Sequence, residues 1–263
     1  MMLEKVRIGF VGTGGIAAHH MGNLKKLEAV QFAAMCDVVE ERAAEPAEEH
    51  DCPAFTDYRR MLDEVEMDAL YVCVPPFAHE DAELRAAERG IHLFVEKPLS
   101  HNLDDLDRLL SLAKVNNLVT LVGCNMRFHP GIAKVKKLLA EGTIGTIVSA
   151  RAQTGQWLPD WHPWEDYRLG YSANQNLGGG IILDAIHEID YIQWMVGEPV
   201  DDVACFASHL SRLEIDTEDT AAILLRFAGG TIGEIHMDYV QRAPSRSCHI
   251  IGDEGTVRWD HNG

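Results

Sequence analysis

The sequence predicts an α/β chain in two parts. A doubly wound parallel sheet is expected over residues 1–123, and an α+β domain with a mostly antiparallel sheet over 124–263. Three observations carry this. Short β-branched runs alternate with helix-periodic stretches through the first half, which is the pattern of parallel crossovers. Beyond Gly123, strand patterns follow one another, joined by turn signals such as Gly229-Gly230. A chain of 263 residues is also long enough, at ~150 residues per domain, to bury two modest cores.

VRIGFV (6–11) is β-branched and bounded by glycines, and AAHHMGNLKKLEA after it has helical spacing. VQFAAMC (30–36), ALYVCV (69–74), IHLFVE (91–96) and LVTLV (118–122) read as further strands. Between them lie amphipathic stretches, one ending on Gly90 and another on Asn116-Asn117, residues suited to left-handed caps. After the boundary comes a basic amphipathic helix, PGIAKVKKLLAEG, and then TIVSARAQ. The polar and aromatic stretch 154–178 follows, too long for a plain connection and too aromatic for disorder. One helix is expected over IILDAIHEIDYIQWMVG, then strands in DVACFASHL, TAAILLRF, TIGEIHMDYV and CHIIGDEGTVRW.

Composition narrows the function. Lys and Arg number 23 against 41 Asp and Glu, a net charge of −18. So acidic a chain is repelled by phosphate backbones and anionic bilayers, so neither nucleic acid nor membrane is expected as a partner. MMLEKVRIGFVG has no basic leader or apolar signal core, and no 18-residue apolar run occurs. The cysteines at 36, 52, 73, 124, 205 and 248 form no C-x-x-C pair, and several sit in apolar runs, as reduced thiols of a cytoplasmic protein do. Histidine is plentiful but lacks ligand spacing, so no metal is expected; His19, His20 and His101 read as exposed or capping residues.

Gly12-Thr13-Gly14-Gly15-Ile16-Ala17 fits G-x-G-x-x-A, closing a strand and opening a helix. Gly12 permits the turn, Gly14 and Gly15 let backbone approach a pyrophosphate, and the helix start around Ile16 offers N–H groups to the anion. Asp37 ends the second strand, where a carboxylate accepts the ribose hydroxyls and repels a 2′-phosphate. No Arg follows before Arg42, so NAD is favoured over NADP. The alternative is a Rossmann-like domain with an empty site.

Further segments bear a resemblance. Val74-Pro75-Pro76-Phe77-Ala78-His79, Glu96-Lys97-Pro98, Asn125-Met126-Arg127-Phe128-His129-Pro130 and Gly178-Gly179-Gly180 followed by Asp184, His187 and Asp190 occur in the order of the glucose-fructose oxidoreductase, inositol dehydrogenase and MocA family. The chain resembles that family over nearly its whole length. The resemblance implies a Rossmann domain binding NAD, with Val74, Pro75, His79, Glu96 and Lys97 at the cofactor, and a second domain for substrate and association. Family members usually run on beyond this chain's Trp259-Asp260-His261-Asn262-Gly263, so a fragment and a naturally short member are both expected readings.

Lys97 stands at the end of a parallel strand, over the crevice where such sheets bind ligands, and its ammonium can polarise a hydroxyl or carbonyl. The rival reading is a surface ion pair with Glu96. Asp184 and His187, three apart, are expected on one helix face, the carboxylate orienting a His that takes or returns the hydroxyl proton. This spacing is one shorter than is commonest in the family, which leaves open another carboxylate as the orienting group. Arg127, Trp157, Trp164 and Tyr167 are the expected substrate contacts; the stretch that holds Trp157, Trp161, Trp164 and Tyr167 reads as a wall for sugar rings or simply as a self-packed loop.

The expectation is an NAD-dependent oxidoreductase moving hydride between nicotinamide and a secondary alcohol or ketone of a sugar, sugar derivative or cyclitol. The rivals are an NAD-dependent glycosidase that oxidises transiently and eliminates, and a non-catalytic NAD-binding regulator. Apolar residues on both phases of TAAILLRF, such as Ile223 and Leu224, imply a homodimer or homotetramer through the second sheet.

Overall fold

The alternation in the first half folds as six strands. In the computed structural model, which describes residues 5–261, they are β1 (Val6–Val11), β2 (Val30–Cys36), β3 (Ala54–Phe55), β4 (Ala69–Val72), β5 (His92–Val95) and β6 (Thr120–Val122). The leader reading for residues 1–4 and the reading of the last two residues lie outside the described residues. The order is β3-β2-β1-β4-β5-β6, with every pair parallel. β1 is central, so Ile8–Val11 are buried in succession and do not alternate with polar residues.

Five helices cover both faces of this sheet. α1 (Gly15–Leu24) and α2 (Glu40–Glu49) bury Ala17, Met21 and Ala47 against Ile8, Phe10 and Met35. On the other face α3 (Tyr58–Glu64), α4 (Ala82–Glu88) and α5 (Leu106–Val115) bring Met61, Ala82, Ala86 and Leu109 against Val11, Leu70, Val72 and Val95. Gly90 and Asn117 take positive φ just past α4 and α5, as their cap positions require. Two differences from the sequence reading have local causes. β3 is only two residues long, too short to leave an alternation pattern. α1 stops at Leu24 rather than running through Lys25 and Lys26, because Lys26 and Leu27 turn back to hydrogen-bond Asn23 and Leu24.

The chain divides between Gly123 and Cys124 into two compact units. The second contains α6 (Pro130–Ala140), β7 (Ile147–Gly155), α7 (Ile181–Asp184), α8 (His187–Val196), β8 (Val200–Ser208), β9 (Thr220–Phe227), β10 (Ile232–Asp238), β11 (Ser245–Gly252) and β12 (Thr256–Asp260). Its sheet runs β12-β11-β7-β10-β9-β8, antiparallel except where β7 meets β10. One face is apolar: Ala150, Ala152, Ile223, Leu225, Ile235, Met237 and Ile250 pack with Ile132, Ile181, Tyr191 and Ile192 of the helices. Along β9 burial alternates, Ile223 and Leu225 inward and Ala222 and Leu224 outward.

Candidate functional site

The nucleotide half is built at the point where the strand order reverses, between β1 and β4. Gly12 turns the chain at φ +86. A Cβ there would stand 2.5 Å from the Cys73 carbonyl oxygen and 2.6 Å from Val74 Cγ1. The loop is therefore pressed onto the end of β4, and only glycine fits. By contrast a Cβ on Gly14 or Gly15 would meet open space. Gly14 caps α1 without a side-chain bond, so the N–H groups of the first turn, Ile16 included, have no partner within the helix. Asp37 Oδ2 accepts the backbone N–H of Thr13 at 3.0 Å and its hydroxyl at 3.2 Å, and Oδ1 accepts the Val39 N–H at 3.0 Å. Open space over two glycines, donors at a helix start and a fixed half-buried carboxylate fit a dinucleotide. Thr13, an unspecified position of the motif, escaped the sequence reading; its single hydroxyl proton is shared between Asp37 and the Arg42 carbonyl, 2.8 Å away.

Because a fixed carboxylate repels a 2′-phosphate, NADH is expected to bind more tightly than NADPH, and Asp37→Ser to narrow the gap. Dissociation constants for both cofactors check this; equal or tighter NADPH binding by the unaltered chain refutes it.

Val74 is half-buried and Pro75 exposed at the end of β4. His79 lies behind them, buried, with Nε2 3.1 Å from the Val74 carbonyl and Nδ1 2.5 Å from Glu83 Oε1. Its ring braces the loop that carries Val74. Past β5, Glu96 and Lys97 are both half-buried. The Glu96 carboxylate is shared between His20 Nε2 at 2.7 Å and the backbone N–H of Lys97 at 3.1 Å, which anchors the Lys97 segment. His20 is thus neither exposed nor a cap. It lies edge-on to Tyr71 and Phe94, with ring centroids 5.8 and 4.9 Å away. Its position three residues after buried Ala17 was the available signal.

In the second unit the helix expected over 181–197 is broken. α7 ends at Asp184 and α8 begins at His187, with Ala185 (ψ 29) ending the first. Asp184 and His187 therefore do not share one helix face, which corrects the sequence expectation. The cause is the buried Asp184 carboxylate. It accepts the Tyr171 hydroxyl on Oδ1, and on Oδ2 Ser172 Oγ at 2.7 Å and the Tyr239 hydroxyl at 3.0 Å. Burial, reinforced by the Asp184 charge, pushes the Tyr239 hydroxyl well above its ordinary range, so it remains a donor. His187 is buried at the first position of α8.

Asp190 takes Arg127 in a two-point pair at 2.8 and 2.5 Å, and the guanidinium lies over Trp194. Arg127 thus ties the turn at 125–128 to α8. Trp157 and Tyr167 pack against the core; the Arg242 guanidinium covers Trp157 at 3.6 Å, and the Tyr167 hydroxyl accepts the Glu214 N–H. Trp164 alone of the three expected aromatics stands open, at 78% exposure. Trp161, the fourth aromatic of that stretch, lies edge-on to Tyr239 at 5.2 Å. Among the described residues no cluster of His, Cys, Asp or Glu could hold a metal, and no helix is long and apolar enough to cross a membrane.

Glu188, next to His187, is fully buried and meets Arg246 Nε at 2.9 Å. Burial pushes its carboxyl up to about 7, against the opposing pull of Arg246. Between the ordinary carboxylate range and about 7, the folded chain keeps a proton that the unfolded chain has lost. Its contribution to stability therefore falls as pH rises through that window. Relative to the unaltered chain, Glu188→Gln should gain on the order of 2 to 3 kcal/mol between about pH 5 and pH 8. Denaturant titrations at the two pH values test this, and a constant difference would refute it.

Comparison with known proteins gives the family. Residues 6–124 match an oxidoreductase family with an NAD-binding Rossmann fold, and residues 132–258 match the GFO/IDH/MocA C-terminal domain. The chain is 32% identical to the myo-inositol 2-dehydrogenase of Thermotoga maritima, over 97% of this chain and 75% of that protein. A crystal structure of a probable dehydrogenase from Thermotoga maritima superposes with TM-score 0.83 at 30% identity, covering 97% of this chain and 75% of that one. The WlbA dehydrogenase of Bordetella pertussis, solved with NADH and UDP-GlcNAcA, superposes with TM-score 0.86 at 25% identity, covering 97% and 78%. With both halves matched in sequence and in fold, the chain belongs to the glucose-fructose oxidoreductase, inositol dehydrogenase and MocA family of NAD-binding oxidoreductases.

Proposed function

We propose that the protein is an NAD-dependent dehydrogenase or reductase acting on a secondary alcohol or ketone of a sugar, sugar derivative or cyclitol. The observation that carries this is Asp37 locked onto Thr13 of the glycine loop, a ribose acceptor already fixed in place. NAD, when bound, supplies the hydride acceptor. Gly12, Gly14, Gly15, Ile16, Asp37, Val74 and Pro75 hold it, with His79 and Glu96 as supports. Lys97 polarises the substrate oxygen, and His187 takes or returns the hydroxyl proton. Asp184, fixed by three hydroxyls, sets the charge near α8. Trp164 offers an exposed aromatic face, while Trp157, Tyr167 and Arg127 hold the wall in shape. A thermal-shift screen of the NAD-loaded protein with sugars, nucleotide sugars and inositols, followed by NADH absorbance, tests the reading. Tight NAD binding with no turnover across the panel would refute it. The buried unbridged thiols of Cys36, Cys73 and Cys248 suit a reducing cytoplasm.

The outward face of the second sheet supports self-association. Phe206, Leu224, Ile232 and Ile251 share it by register and are 84, 53, 42 and 39% exposed. Its charges are largely paired within the face, Arg151 with Glu234 at 2.6 Å and Arg226 with Asp202. A twofold partner burying the same face removes the exposed apolar area, and long-range repulsion between −18 chains is screened at physiological salt. Light scattering at micromolar concentration should give two or four times the 29.2 kDa chain mass. A stable species at the single-chain mass would refute this.

A further inference from the structure

The second unit holds a cavity of about 330 Å³ whose nine lining residues include Arg246, His162, His261, Thr154, Ser245 and Trp161, and no Asp or Glu. That is unusual in a chain where acidic residues outnumber basic ones 41 to 23. The wall supplies a guanidinium, two imidazoles and two hydroxyls, with an indole as its apolar side. Arg246 is held from behind. Its Nε meets Glu188 Oε1 at 2.9 Å and Thr154 Oγ1 at 3.3 Å, while Nη2 and Nη1 make only long contacts, 3.5 Å to Glu188 Oε2 and 3.8 Å to Met126 Sδ. The anchor fixes the plane of the guanidinium and leaves the N–H groups of its terminal edge for a second, two-point partner. The Arg246 side chain is 27% exposed while its anchor Glu188 is fully buried, so the open edge belongs to the cavity side. Glu188 directly follows His187, which joins this arginine to the candidate acid–base residue through one turn of α8.

We propose that this cavity is an anion subsite that receives the carboxylate of a sugar acid, Arg246 gripping it two-fold with His162 and His261 at the rim and Trp161 beside the ring. A carboxylate is favoured over a phosphate ester because a single planar guanidinium matches one planar monoanion. A phosphate dianion calls for further cations, and the lining supplies no Lys. The inference rests on the reading of the chain as a sugar oxidoreductase and narrows its substrate class to uronates.

The test measures calorimetric binding to the NADH-loaded protein, and NADH formation by the NAD-loaded protein. The probes are D-glucuronate and D-galacturonate, D-glucose and D-galactose, and glucose 6-phosphate. The uronates should bind at least tenfold more tightly than their neutral counterparts and than the phosphate ester. Arg246→Lys keeps a cation for Glu188 but loses the fork, and should bring the uronate-to-neutral ratio close to one. His162→Ala, at an exposed position that leaves the core intact, should lower the ratio several-fold. Uronate binding that depends on Arg246 without any turnover would uphold the subsite while refuting the dehydrogenase reading. Equal affinity for acid and neutral sugars, preference for the phosphate ester, no binding of either series, or a ratio that neither variant moves would overturn the subsite.

Discussion

Replacing Lys97 or His187 with alanine is expected to cut turnover about 10²-fold or more while leaving NAD affinity within a few-fold. The asymmetry follows from what each side chain does. The Lys97 segment is anchored through its backbone N–H on Glu96, a contact that an alanine keeps, so the loop stays in place while the ammonium is lost. His187 opens α8 in the second unit, whereas the glycine loop and Asp37 belong to the first, so its replacement removes none of the hydrogen bonds that hold the loop and Asp37. Steady-state kinetics with a substrate found in the screen, paired with calorimetric NADH titration, separate the two effects. Near-normal turnover in either variant removes that residue from the mechanism. Asp184→Asn should be milder in turnover. It exchanges one acceptor oxygen for an N–H among three donating hydroxyls, so its loss should fall on stability as well.

The first unit was legible because its signals are local and mutually consistent. Buried parallel strands read as continuous apolar runs, and the glycine motif falls where a strand must hand over to a helix. The alternation implied a doubly wound parallel sheet, while the order β3-β2-β1-β4-β5-β6 and the two-residue β3 appear only in the fold. The contacts that fix the site were less visible. The bond from Asp37 to Thr13 spans 24 residues, and that from His20 to Glu96 spans 76. No spacing rule registers pairs so distant in sequence.

The second unit shows the opposite failure. Periodicity treated IILDAIHEIDYIQWMVG as one helix, because Ala185 and Ile186 are ordinary helix residues. What interrupts it is a buried carboxylate seized by hydroxyls from Tyr171, Ser172 and Tyr239, brought in by the long loop and by the end of β10. Tertiary hydrogen bonds outweighed local preference there. Arg127 reads from sequence as a substrate contact, but its two-point partner Asp190 stands 63 residues away. The same blindness hid Glu188 and Arg246, whose pairing appears only once β11 is laid beside β7.

Two glycines of one motif should respond to alanine in opposite ways. Gly12→Ala is expected to cost about 3 kcal/mol of stability or more, combining an L-residue held at positive φ with a Cβ driven to 2.5 Å from a backbone carbonyl. The Cys73 carbonyl cannot yield cheaply, because the Cys73 N–H is bonded to Val11 and the residue closes the central strand pair. NADH binding should fall with it, since the turn that sets the start of α1 is distorted. Gly14→Ala has φ −69 and meets no atom within 4 Å, so the fold should be unchanged. The added methyl nevertheless enters the open space where the pyrophosphate is expected, and NADH affinity should drop more than about tenfold, ~1.4 kcal/mol. Denaturation midpoints and calorimetric titration on the two variants distinguish a glycine required by the protein backbone from one required by the ligand. A stable Gly12→Ala would show that the turn does not need glycine, and a Gly14→Ala that binds NADH normally would show that the open space over the loop is not where the phosphates lie.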